Sequence, residues 1–122
     1  MYNGITIAGD GRGKKMGFPT LNILLHKNPE KTGVFLVSVL ISKKKYFGLL
    51  HLGPRPTFHQ NQFRIEIFLL EFSGSIPLHT EISFSKIKYI REVKEFVSKE
   101  KLIEQIKKDR IFAEKYIENH EK

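Results

Sequence analysis

Gly33-Val-Phe-Leu-Val-Ser-Val-Leu-Ile41, followed by Ser42-Lys-Lys-Lys45, is the stretch that decides the fold class. Val34 to Ile41 is rich in β-branched residues and apolar on both faces, the pattern of a strand buried on two sides. Ser42 to Lys45 reads as a short hairpin connection into a second strand, Tyr46 to Leu52. Gly53-Pro-Arg-Pro-Thr57 then breaks the pattern and predicts an ordered turn or loop. Phe63 to Phe72 is the next strand, Phe72-Ser-Gly-Ser75 a turn, and Glu81 to Ile90 a further strand. Residues 2 to 8 alternate weakly, and residues 26 to 32 read as an exposed loop. Short strands between turn signals point to an antiparallel barrel or sandwich.

The C-terminal segment differs in kind. Ser98 suits an N-cap, Glu100 falls in the first turn, and Leu102, Ile103, Ile106, Ala113 and Ile117 recur at helical spacing. A helix over about residues 98 to 118 is expected to pack one face on the sheet, with Lys107, Lys108 and Arg110 on a solvated face.

With 122 residues and no linker or repeat, the chain 1–122 reads as one domain with a modest core. It has no cysteine, which excludes a disulfide framework and a thiolate metal site. Val34 to Ile41 is the longest apolar run and is too short to cross a bilayer. Residues 1 to 8 have no basic start followed by an apolar core, so a cytoplasmic protein is expected. The net charge of +8 points to an anionic partner without choosing among nucleotide, nucleic acid and membrane.

Gly9-Asp-Gly-Arg-Gly-Lys-Lys-Met-Gly-Phe-Pro-Thr-Leu-Asn22 reads as a phosphate and metal cradle, set against the plainer reading of a solvated basic turn. Its glycines allow backbone N–H groups to converge on phosphate oxygens, and Arg12, Lys14 and Lys15 add positive charge. Thr20 and Asn22 offer neutral oxygens of the kind Mg²⁺ accepts together with nucleotide phosphates, and Pro19 stiffens the turn that presents them. The stretch matches neither G-x-x-x-x-G-K-[ST] nor G-x-G-x-x-G. In Phe63-Arg-Ile-Glu-Ile-Phe-Leu-Leu70, alternation sets Ile65, Ile67 and Leu69 on one face and Arg64, Glu66, Phe68 and Leu70 on the other. A carboxylate at Glu66 therefore needs a partner, such as Arg64, or a place at a cleft. At the lip of an apolar pocket it would serve as a general base for an alcohol. A phosphate loop, metal-binding oxygens and a base make phosphoryl transfer to an alcohol a coherent reading.

On these residues the chain resembles the riboflavin kinase (flavokinase) family from about Gly4 to Asp109. The Gly9–Ile23 stretch is similar to the family's glycine-rich segment ending in Pro-Thr-x-Asn, and Gly33-Val-Phe to its Gly-Val-Tyr. His51-Leu-Gly-Pro-Arg-Pro-Thr-Phe58 resembles Asn-Ile-Gly-x-x-Pro-Thr-Phe, and Ile65-Glu-Ile-Phe-Leu-Leu-Glu-Phe72 resembles Val-Glu-x-His-x-x-x-Phe. Ile90-Arg-Glu-Val-Lys-Glu-Phe96, with Leu102, Gln105-Ile106 and Asp109, is similar to the closing pattern. The resemblance implies a mainly β fold, a six-stranded antiparallel Greek-key barrel with a C-terminal α-helix. It implies transfer of the ATP γ-phosphate to the riboflavin 5′-hydroxyl, giving FMN. Gly9, Lys15, Gly17, Pro19, Thr20 and Asn22 would then serve ATP, Thr20 and Asn22 also Mg²⁺ or another divalent metal, and Glu66 would be the base. Arg91 would stand on the loop that closes near the flavin, and Phe68, Phe96 and the Leu102 region are candidates on chemistry for its apolar slot, set against ordinary core packing for each.

Two positions depart from the family pattern. Ile76-Pro-Leu78 stands where Leu-Tyr-Gly is usual, on the loop that touches the adenine, and His51 stands where Asn is usual. Family members commonly carry an N-terminal FAD-synthesising domain, so such a domain is an expected partner in a longer native chain. Otherwise the expected partners are ATP/ADP and riboflavin/FMN, for a monomer binding neither nucleic acid nor membrane. The alternatives are a non-catalytic flavin or nucleotide binder and a basic nucleic-acid-binding barrel. The latter would interleave surface aromatics with cations, whereas most aromatics here fall inside apolar runs.

Overall fold

The computed structural model describes residues 1–8, 20–25, 31–56, 61–72, 74–94 and 96–120. Six strands, β1 (Tyr2–Ile7), β2 (Thr20–Leu25), β3 (Gly33–Ile41), β4 (Lys44–Pro56), β5 (Asn61–Leu69) and β6 (Glu81–Arg91), precede one helix, α1 (Lys99–His120). The strands close into an antiparallel barrel in the order β1-β2-β5-β4-β3-β6. β3, β4 and β5 form a meander and β6 returns beside β3, which is the Greek-key connection.

The alternation in each strand sorts side chains into two cores. Leu21, Ile23, Phe35, Val37, Val39, Leu50, Leu52, Ile65, Ile67, Leu69, Ile82 and Phe84 fill the barrel interior. On the outer face, Leu36, Leu49, Phe68 and Leu70 pack under the helix residues Ile106 and Ala113, with Leu102, Ile103, Tyr116 and Ile117 around them. This two-sided burial accounts for the first half of the β3 apolar run, whereas Leu40 near its end is exposed. The helix keeps the expected apolar face, and its N-cap holds: the Lys101 amide donates to Ser98 Oγ at 3.2 Å. Lys107 and Lys108 are exposed, and Arg110 pairs with Glu114 at 2.6 Å.

Three local expectations change. The β3–β4 connection shortens to Ser42 and Lys43, at φ 49° and 68°, the two-residue hairpin turn whose twist matches the strands. Gly53 to Pro56 do not leave the sheet but extend β4, with Gly53 opposite Arg64 and Pro56 opposite Asn61 on β5. Pairing with β3 stops at Leu52 opposite Gly33, so beyond it one side of β4 is an edge, where a missing proline N–H is tolerated. β5 ends at Leu69 rather than Phe72, and the chain turns through Glu71 at φ 51°. Gly33, at φ 144°, opens β3 in a backbone region closed to other residues, and a Cβ there would lie 2.7 Å from the Tyr89 ring.

The segment after this turn is fastened to β1. Thr6, 2% exposed, donates its hydroxyl to the Pro77 carbonyl at 2.8 Å and accepts the Thr80 amide at 2.9 Å. Backbone bonds from Thr6 N to Thr80 O and from His79 N to Thr6 O complete the seam. Within Ile76-Pro-Leu78, Ile76 packs against the interior core while Leu78 is exposed. Thr6→Val keeps the shape but removes the hydroxyl, leaving the Thr80 amide without its side-chain acceptor and the Pro77 carbonyl with the Thr80 hydroxyl at 2.6 Å. A loss of about 1–3 kcal/mol in urea unfolding is expected, and an unchanged midpoint would show that the seam is held by backbone alone.

Candidate functional site

Directly opposite residues on adjacent strands share a face, and one row on the outer face collects most of the polar candidates. Ile7 of β1 lies opposite Asn22 of β2, Asn22 opposite Glu66 of β5, and Glu66 opposite His51 of β4. His51 is opposite Val34 of β3, and Val34 opposite Arg91 of β6. A second row, one pleat along, runs Thr20, Phe68, Leu49, Leu36. The helix covers this apolar row and leaves the polar row at its border.

The placement of Thr20 and Asn22 differs from the expected turn: both stand on β2 and project from the same side of the barrel as Glu66. The polar tail of the glycine-rich segment is therefore held by a strand ladder. Gly9, Lys15, Gly17 and Pro19 lie outside the described residues. The strand ends that flank them, Ile7 and Thr20, belong to β1 and β2, the two strands at the Asn22 end of the row.

Glu66 is buried, with 5% exposure, and none of Glu66, His51 and Thr20 stands without a partner. Its place between Asn22 and His51 follows from the β5 alternation, which turns Ile65 and Ile67 into the barrel. Phe68 is also buried, within the core under the helix.

At the other end of the row, Arg91 is held tightly. Its Nε donates to both carboxylate oxygens of Asp109 at 3.1 and 3.2 Å, and Nη2 donates to Oδ2 at 2.9 Å. Nη1 donates to the Glu92 carbonyl at 3.0 Å, and the guanidinium sits 5.9 Å from the Phe96 ring centroid. Asp109 also accepts Gln105 Nε2 at 3.1 Å. Val93 packs on Gly53, where a Cβ would come within 3.0 Å of the valine side chain. Thus the row brings together Asn22 and Glu66, flanked by Thr20 and Phe68, and sets Arg91 with Phe96 three strands from Glu66.

The sequence gives little notice of two of these residues. Thr6 lies on a weakly alternating strand, and its partners are distant in the chain. Asp109 is a member of the closing motif, but its signal is positional: it interrupts the helical apolar series at the spacing of Ile106 and Ala113. A charge on a buried stripe marks a residue with a specific partner.

The family model for riboflavin kinase matches residues 1–117. The chain is 35% identical over 121 residues to a bifunctional riboflavin kinase/FMN adenylyltransferase of Bacillus subtilis, covering 95% of this chain and 38% of that protein. It is 35% identical over 107 residues to the RNA-binding riboflavin kinase RibR of the same organism, covering 87% of this chain and 46% of that protein. A solved structure described as a macrolide-efflux protein from Streptococcus pneumoniae aligns with a TM-score of 0.81 and 28% identity, over 93% of this chain and 38% of that one. The closed barrel, its outer polar row and these matches define one class: the chain belongs to the riboflavin kinase family. It spans less than half the length of each of these relatives. Among the described residues, no helix is long and apolar enough to cross a membrane.

Proposed function

We propose that this domain transfers the γ-phosphate of ATP to the 5′-hydroxyl of riboflavin, giving FMN and ADP. The observation that carries this reading is the side-by-side placement of Asn22 and Glu66 on adjacent strands, in a barrel whose chain belongs to this family. Glu66 accepts the hydroxyl proton on a carboxylate oxygen as the O5′–P bond forms and the bond from Pγ to the bridging oxygen breaks, with ADP leaving. Burial keeps bulk water from competing for that carboxylate.

Asn22 and Thr20 supply neutral oxygens beside the base, which fits a divalent cation shared with nucleotide phosphates. Mg²⁺, when bound with ATP, supplies charge neutralisation at the phosphate oxygens. Gly9, Lys15, Gly17 and Pro19 belong to the ATP side of this reading, and Thr6 anchors the Ile76–Thr80 segment beside it. Arg91 and Phe96 form the flavin side. Phe68 backs the site from within the core. The substrates are small molecules, and the domain acts as a cytoplasmic monomer, alone or behind an FAD-synthesising domain. A nucleic-acid role is disfavoured because Phe35, Phe68 and Phe84 are core residues rather than stacking platforms.

Incubation of the purified protein with riboflavin, ATP and Mg²⁺ is expected to yield FMN, measured by chromatography. No FMN at high enzyme concentration, with several nucleotides and divalent metals, would refute the catalytic reading.

A further inference from the structure

Two acids are buried among the described residues, Glu66 and Asp109, at 5% and 3% exposure. The proposed reaction employs the first and leaves the second idle. Asp109 sits on the helix between Ile106 and Ala113, in a stripe where an apolar side chain would pack without desolvating a charge. Its described partners are Arg91, which donates to both carboxylate oxygens, and Gln105 of the same helix.

That geometry does more than dock a helix. A side-on pair using Nε and Nη2 fixes the plane of the guanidinium as well as its position. The Nη1 bond to the Glu92 carbonyl carries the constraint into the following segment. Val93 then rests on Gly53, two residues past His51, and Ser98 starts the helix that returns Asp109 to Arg91. Arg91 and Asp109 thereby close the stretch between them, connection and first helical turns together, with one ion pair. Because Asp109 neutralises Arg91, the remaining guanidinium N–H groups suit a neutral carbonyl acceptor better than a phosphate.

We propose that Asp109 is a positioning residue: from the helix it fixes the Arg91 guanidinium and, through it, the Glu92 carbonyl, and so sets affinity for the acceptor substrate and not for ATP. This rests on the reading that Arg91 faces riboflavin. The test compares wild type, Asp109→Asn, Gln105→Leu, Arg91→Lys and the double variant Asp109→Asn/Arg91→Lys in steady-state kinetics, with ¹⁵N NMR of the Arg91 Nε–H.

Asp109→Asn should raise the riboflavin KM roughly tenfold or more and leave the ATP KM within about twofold. The double variant should cost much less than the product of the single changes. The Nε–H should exchange slowly with water in wild type and rapidly in Asp109→Asn. Gln105→Leu leaves the ion pair in place, and should show the same split at about threefold, which keeps the test decisive if Asp109→Asn does not fold. Equal rises in both KM values, an unchanged riboflavin KM in folded variants, or a slowly exchanging Nε–H that survives Asp109→Asn would overturn the proposal. Wild-type protein that makes no FMN would refute the kinase reading instead, and the Nε–H exchange would still decide whether Asp109 fixes Arg91.

Discussion

Glu66→Gln is expected to lower the rate of FMN formation about 10²–10⁴-fold, the usual contribution of a positioned general base. The substitution keeps the volume of a side chain buried between Asn22 and His51, so the barrel should remain folded. On the proposed reading, what it removes is the carboxylate that takes the proton from the 5′-hydroxyl. Riboflavin and ATP should still bind within a few-fold of wild type, because Asn22, Arg91 and the apolar surroundings are untouched. Rates from chromatographic FMN assays, paired with thermal melts, separate the chemical effect from a folding effect. Full activity in a folded Glu66→Gln protein would make Glu66 a structural acid and move the base elsewhere.

Arg91→Met is expected to destabilise the protein by about 3–5 kcal/mol, the cost of leaving a buried charge without its partner. The side chains of Arg91 and Asp109 are 13% and 4% exposed, so solvent screens the pair only weakly. Met can fill the stem volume of Arg91 but cannot satisfy either oxygen of Asp109; among the described residues Gln105 would remain as a donor, to Oδ1. The double variant Arg91→Met/Asp109→Leu should regain most of the loss, since Ile106 and Ala113 already provide an apolar bed. Urea unfolding of the three proteins measures this directly. A loss below about 1 kcal/mol in the single variant, the range of exposed pairs, would show that Asp109 finds water or another donor.

Much of the fold is legible in the chain because its signals are local. Val34 to Ile41 is apolar on both faces, and the structure accounts for the interior residues and for Leu36, which packs under the helix, whereas Leu40 on the outer face is exposed. The helix is equally plain, since its cap and apolar stripe agree. The extension of β4 through Pro54 and Pro56 is not legible, because proline reads as a breaker unless the chain also reveals that β3 has ended. Sheet order has the same character. Nothing local in β6 says that it lies between β1 and β3.

The site divides along the same line. Glu66 announces itself as a charge on an apolar face, and Thr20 and Asn22 as polar residues two apart after a proline. That Asn22 and Glu66 stand opposite each other depends on strand register across forty-three intervening positions, which alternation alone does not fix. The grip of Asp109 on Arg91 is hidden for a related reason. A charge within an apolar stripe shows that a partner exists, but the fold decides which one.

A closed barrel also determines where motion can occur. Every strand here has a neighbour on both sides, so no strand can shift without breaking two ladders at once. Any accommodation of substrate and release of product must then be absorbed between the strands, with the ring itself acting as a rigid mount. The connection from β6 to the helix is one such place: it leaves β6 at Arg91, which Asp109 of the helix holds, and enters the helix at the Ser98 cap. In such a domain the ring holds position and the connections are left to carry any motion.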